Sequence, residues 1–128
     1  ENTMLKKGIL KAPLAGHLAR LGHTDTFVIA DCGLPVPADV PVVDLALVFS
    51  IPRFVDVLDA LTDVLEIEHA TIATQTPEEI RAIVPAEVEL DEVDHEELKA
   101  RVADASFVVR TGETTPYANV ILRSGVPF

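Results

Sequence analysis

Side chains that carry or accept protons gather at the ends of apolar runs in this 128-residue chain. In Gly22-His23-Thr24-Asp25-Thr26-Phe27-Val28-Ile29-Ala30-Asp31-Cys32-Gly33-Leu34-Pro35, His23 and Asp25 precede the apolar run, and Asp31 and Cys32 follow it. Far along the chain, His95 stands beside Asp94, and Arg110–Asn119 packs charged, hydroxyl, phenol and amide groups between two apolar runs. Tyr117 is the only tyrosine, and tryptophan is absent. An imidazole exchanges protons near neutral pH, and carboxylates, phenols and amides supply directional donors and acceptors. Such a set suits general acid–base chemistry, or the binding of a polyhydroxylated ligand.

Each residue also has a plainer reading. Asp31 can satisfy turn amides in the Gly-Leu-Pro segment that follows it. His23, after a helix-stopping glycine, can sit at a helix C-terminus, where a cation suits the dipole. His95 can be a surface residue of a first helical turn, and Thr111–Pro116 a hydrophilic hairpin turn. Cys32 reads as a small hydrophobe at a strand end, not a nucleophile. Residue type and position alone leave these pairs of readings open.

Other chemistries lack their residues. Asp31-Cys32-Gly33-Leu34-Pro35 follows a strand but has neither the GxGxxG spacing nor a Walker lysine. His17, His23, His69 and His95 form no HExxH pair, so no catalytic metal is expected. The net charge of −11, from 10 Lys and Arg against 21 Asp and Glu, repels phosphate backbones and argues against a nucleic-acid partner. The acidity itself needs no explanation beyond solubility. A single cysteine permits no internal disulfide, which favours the cytoplasm. No apolar stretch reaches the roughly 20 residues of a membrane helix, and Lys6-Lys7 precede only a short mixed segment, unlike a signal peptide. Glu1-Asn2-Thr3 read as an appended remnant ahead of a natural start at Met4, leaving residues 4–128 as one domain.

The positioning elements follow from periodicity. Helices are expected over Pro13–Leu21, from Pro52 through Leu65, after Thr76-Pro77-Glu78-Glu79, and after a capping Asp94. The second of these should bury Phe54, Val55, Leu58, Leu61, Thr62 and Leu65. Strands are expected at Thr26–Cys32, Val42–Val48, Glu66–Thr74, Ala86–Val93, Ser106–Arg110 and Asn119–Arg123. With 48% hydrophobic residues and a mean hydropathy of +0.31, the chain can bury a substantial core. The alternation predicts a single layered α/β domain, its mostly parallel or mixed sheet covered by helices on both faces.

Three segments together resemble the ribose pyranase/fucose mutarotase family: Leu21–Pro35, Asp94–Lys99, and Arg110–Glu113 with Pro116–Asn119. Lys6-Lys7-Gly8 and Gly125-Val126-Pro127-Phe128 fit as well. Gly-His-Thr-Asp followed by Asp-x-Gly-Leu-Pro, and Tyr-Ala-Asn near the end, point to the ribose branch. Cys32 departs from the usual small residue, and the stretch Thr74–Ala86 is short relative to some members. The resemblance implies that His23 is the proton donor and that Asp31, His95, Tyr117, Ala118 and Asn119 bind substrate. It implies conversion of D-ribose between pyranose and furanose forms, and because both halves of that reaction are proton transfers, no cofactor is expected. It also implies a ring-shaped homo-oligomer, commonly a decamer, with sites near subunit interfaces, and a link to ribose uptake and to a ribokinase. Anomerisation of fucose or another sugar, and a non-catalytic ribose-binding module, are the competing expectations.

Overall fold

The structure, a computed structural model, describes residues 4–128, and the reading of residues 1–3 as a remnant lies outside the described residues. In chain order it comprises α1 (Ala12–Ala19), β1 (Thr26–Ala30), β2 (Val42–Asp44), α2 (Phe54–Thr62), β3 (Ile67–Ala73), α3 (Glu78–Arg81), β4 (Glu89–Val93), α4 (His95–Val102), β5 (Val108–Arg110) and β6 (Val120–Ser124). The six strands form one sheet in the order β2-β5-β1-β6-β3-β4. β6 runs antiparallel to both β1 and β3, whereas the remaining neighbours pair in parallel. Five strands therefore point one way, and their carboxyl ends share one edge of the sheet.

β1 is central and buried on both faces, which is why its sequence is a continuous apolar run instead of an alternation. Phe27 and Ile29 face a core built with α1, α2 and α3, where Leu14, Leu18, Phe54, Leu58, Leu61 and Ile80 pack. Val28 and Ala30 face the opposite core, closed by Leu98 and Val102 of α4. Helices thus cover both faces, as the alternation predicts. Among the described residues no helix is long and apolar enough to cross a membrane.

Several boundaries differ from the expectations for local reasons. α2 begins at Phe54, with Asp56 accepting from the Arg53 amide, and it buries Val57 where the predicted stripe placed Val55. β2 stops at Asp44 instead of Val48, because the Asp44 carboxylate holds the Ala46 amide and the Arg110 guanidinium. Leu47–Ile51 then folds back on itself through a Val48–Ile51 bridge. Gly112 lies under that loop: a Cβ there would sit 2.6 Å from the Val48 carbonyl oxygen and 2.8 Å from that of Ile51. Only glycine permits such an approach. The residues before Glu89 form a turn, not a strand, with the Val88 amide donating to the Pro85 carbonyl. Thr76 is not a helix cap, since α3 is capped by Pro77 with no side-chain bond.

Candidate functional site

The carboxyl edge of the parallel strands collects most of the expected site residues, and open α/β sheets bind ligands at such edges. Asp31 follows β1, Asp94 and His95 follow β4, and Asn119 leads into the antiparallel β6 at the same edge. The Arg110–Asn119 segment is not a hairpin turn. β5 and β6 do not pair; β1 lies between them, so the segment arches over the end of β1. Its anchors are the Thr111 amide and hydroxyl, both donating to the Ala30 carbonyl, and the Glu113 carbonyl, which accepts from the Cys32 amide.

This arch brings Asn119 against Asp31. The Asn119 side-chain oxygen accepts from the Asp31 amide at 2.9 Å, and its Nδ2 donates to Asp31 Oδ2 at 3.3 Å. Asp31 Oδ1 accepts from the Gly33 amide at 2.9 Å. The turn-capping reading of Asp31 is therefore correct, and it leaves a partly buried carboxylate fixed at the wall of a cavity. That cavity, of about 190 Å³, is lined by Asp31, His95, Tyr117 and Asn119 together with Pro35 and Pro116. The His95 and Tyr117 rings meet edge to face at 4.8 Å. His95 Nδ1 is buried with no hydrogen-bond partner among the described residues, an uncommon state for a buried polar atom. Ala118 is fully buried in the core and does not line the cavity; it sets Tyr117 and Asn119, which do, on either side of it.

Tyr117 holds a left-handed backbone, φ 63°, which a bulky side chain rarely adopts. Buried Thr76 fixes it by donating its hydroxyl to the Tyr117 carbonyl at 2.9 Å. Gln75 bonds both the His95 amide and the Asp94 carboxylate, while Asp94 caps α4 through the Glu96 amide. The Gln75 bond and the Glu96 amide hold the Asp94 carboxyl below its usual range. Sequence reasoning missed Thr76 and Gln75 as supports of the site. The Thr76-Pro77-Glu78 pattern looks like a helix start, and only the long-range fold shows that the hydroxyl is used elsewhere.

Glu113 is a further support the sequence did not single out. Its carboxylate accepts from the Phe54 amide at the start of α2 and from the Thr115 amide and hydroxyl. Burial pushes this carboxyl up, but the Phe54 and Thr115 hydrogen bonds and the nearby Arg53 charge outweigh it and hold it below the ordinary value. A depressed carboxyl contributes stability above its unfolded pKa, and that contribution disappears as pH falls through the folded value. Glu113→Gln is expected to cost about 1–2 kcal/mol at pH 7. Urea unfolding of both proteins should show the gap closing below the ordinary carboxylate range. A pH-independent gap would contradict the assignment.

His23 stands apart from the other expected site residues. It precedes β1, whereas Asp31 follows it, so the length of a five-residue strand separates them, on the order of 17 Å at ~3.3 Å per residue. α1 is capped by Arg20, so His23 is no helix cap either. Its side chain is 55% exposed, and its Nε2 lies 2.8 Å from Glu68 Oε1. Asp25 is structural, accepting from the Gly22 amide. Cys32 is half-buried, not a buried hydrophobe, and lines a larger groove of about 410 Å³ with Leu47, Phe49 and Gly112. Among the described residues no group of three or more His, Cys, Asp or Glu is placed to hold a metal.

A mixed α/β sheet with a small polar cavity at the carboxyl edge, walled by carboxylate, imidazole, phenol and amide, defines a binder of small, hydrogen-bonding ligands. The comparisons narrow that class. The chain belongs to the RbsD / FucU transport protein family, whose model matches residues 4–127. It is 57% identical over 125 residues to a D-ribose pyranase of Corynebacterium glutamicum strain R, covering 98% of this chain and 100% of that protein. It is 52% identical over 127 residues to a D-ribose pyranase of Cutibacterium acnes, with the same coverage. Among solved structures it resembles Bacillus subtilis RbsD complexed with D-ribose, with a TM-score of 0.93 and 44% identity over 98% of this chain and 100% of that one. A fucose mutarotase from Streptococcus pneumoniae shares the fold, with a TM-score of 0.79 at 21% identity over 97% of this chain and 100% of that one.

Proposed function

We propose that this protein interconverts the pyranose and furanose forms of D-ribose by acid–base catalysis that uses no cofactor. The observation that carries the reading is the cavity at the carboxyl edge. The fixed Asp31–Asn119 pair, Tyr117 and His95 together line a space suited to a small polyol. Relatives at 52–57% identity that are named D-ribose pyranases support it.

Ring opening needs one proton delivered and one removed. The ring oxygen takes a proton from a general acid as its bond to the anomeric carbon breaks and the electron pair moves onto that oxygen. The anomeric hydroxyl gives up its own proton to water or a base and becomes the aldehyde. Rotation presents a different hydroxyl, which attacks the aldehyde and loses its proton to the now neutral imidazole, while the carbonyl oxygen is reprotonated. Protons balance over the cycle, and no electron is transferred to the protein. His23 is the acid, on the strength of the family resemblance, and imidazole suits both halves near neutral pH. Asp31 and Asn119 hold sugar hydroxyls, Tyr117 binds the sugar edge from the position the buried Ala118 gives it, and His95 bonds a further hydroxyl.

The separation of His23 from the cavity means that one copy does not complete the site. The reading therefore includes a homo-oligomer in which His23 of a second copy reaches this cavity. An apolar loop beside the cavity supports this: Leu47 is 76% and Phe49 79% exposed. Such a patch is costly in water and suits a protein interface. The reading places the chain in the cytoplasm after ribose uptake, supplying furanose to a ribokinase.

The direct test is ring-form exchange in D-ribose, followed by NMR saturation transfer with and without the protein. Acceleration with ribose, and little with fucose, is the expected result. Saturable ribose binding without acceleration would make the protein a binding module and overturn the catalytic reading.

A further inference from the structure

We infer that Glu68 is a positioning residue, which fixes the His23 ring so that Nδ1, and not Nε2, exchanges protons with the sugar. The inference rests on the reading of His23 as the acid. Glu68 Oε1 lies 2.8 Å from His23 Nε2. An ionised carboxylate only accepts, so Nε2 must carry the hydrogen in that bond. Nε2 is thereby occupied in both protonation states of the ring. Nδ1 is left as the atom that is protonated in the acid and bare in the base.

The geometry around Glu68 suits such a brace better than a casual surface pair. Its second oxygen, Oε2, accepts from Arg123, at 3.2 Å from both Nε and Nη2. Arg123 is held by β6, where it pairs with Thr26 of β1 on one side and His69 of β3 on the other. Glu68 sits at an irregularity in the β3–β6 register, between Ile67 and His69. The chain packs close there: a Cβ on Gly125 would lie 3.3 Å from Glu68 Cβ. The carboxylate is two-thirds covered, whereas the imidazole it holds is 55% exposed. A largely covered brace fixed by the sheet thus presents an exposed ring in one orientation. An exposed histidine without such a brace would sample several rotamers, and a general acid must meet its target atom within hydrogen-bond reach.

The test compares Glu68→Gln, Glu68→Ala, His23→Ala and the double variant His23→Ala/Glu68→Ala in ribose exchange. Glu68→Ala is expected to lower the maximal exchange rate about 10- to 100-fold, with half-saturating ribose and thermal unfolding nearly unchanged. Glu68→Gln keeps an acceptor oxygen and should recover part of that loss. In the His23→Ala background, removing Glu68 should have no further effect, because it acts only through the ring. Glu68 variants at the full rate, beside an inactive His23→Ala, would overturn the positioning role alone. An equal loss in both backgrounds would do so too, by assigning Glu68 a role independent of His23. If His23→Ala itself keeps the full rate, the assignment of the acid fails, and this inference falls with it.

Discussion

His23→Ala is expected to abolish the protein's acceleration of ribose ring exchange, a loss of about 10²–10⁴-fold, while leaving the fold intact. The fold should survive because the imidazole is more than half exposed and, among the described residues, its one side-chain bond is to Glu68. The variant is most informative when mixed. His95→Ala should fail for a different reason, since it removes a wall of the cavity, not the acid. If the acid comes from a neighbouring copy, co-refolding the two inactive variants restores activity. About a quarter of the sites regain both parts, because each of the two contributing protomers is intact in half of random pairings. If each copy carried its own complete site, the mixture would stay as inactive as its parents. Full activity of His23→Ala by itself would remove the proposed acid altogether.

Much of the fold was legible because it depends on local signals. The unbroken apolar run Phe27–Ala30 marks a strand buried on both sides, and Asp94 before Glu96 and Glu97 marks the start of α4. What was not legible depends on partners distant in sequence. Val42–Val48 reads as one strand by composition, yet Asp44 is turned aside by Arg110, 66 residues later. Thr76 has the pattern of a helix cap, yet its hydroxyl goes to Tyr117, 41 residues away. Local propensity yields in such cases to hydrogen bonds that only the assembled sheet creates.

The site shows the same division. Residue types and the family resemblance pick out Asp31, His95, Tyr117 and Asn119, and the sheet order explains why they meet. Placing β1 between β5 and β6 forces the Arg110–Asn119 segment across the end of β1, which no reading of that segment as a hairpin turn could show. His23 carries the opposite lesson. Its nearness to Asp31 in sequence suggests nearness in space, but a strand between two residues drives them apart by its length. The opening and closing of β1 belong to two different edges, and in the proposed homo-oligomer a second copy unites them.

Asn119→Asp should separate the binding role of the Asp31–Asn119 pair from simple packing. Asn119 is 1% exposed, accepts from the Asp31 amide and donates to the Asp31 carboxylate. The substitution keeps the shape and the acceptor but turns the donor into a second carboxylate facing the first at about the same 3.3 Å. An uncompensated buried charge of this kind costs about 3–5 kcal/mol, so a large loss of stability is expected at pH 7 along with loss of ribose binding. Burial and the like charge raise the introduced carboxyl above its unfolded pKa, so the penalty belongs to high pH and shrinks as pH falls through the folded value. Once protonated, the new group can donate to Asp31 as the amide did. Asn119→Ala should lose binding as well, but its stability deficit comes from unpaired groups and a small cavity and should depend much less on pH. Denaturant unfolding of both variants at pH 7 and in mild acid distinguishes the two. If Asn119→Asp matched the parent at pH 7, the carboxylate–amide pair would not be the element that holds the cavity wall in place.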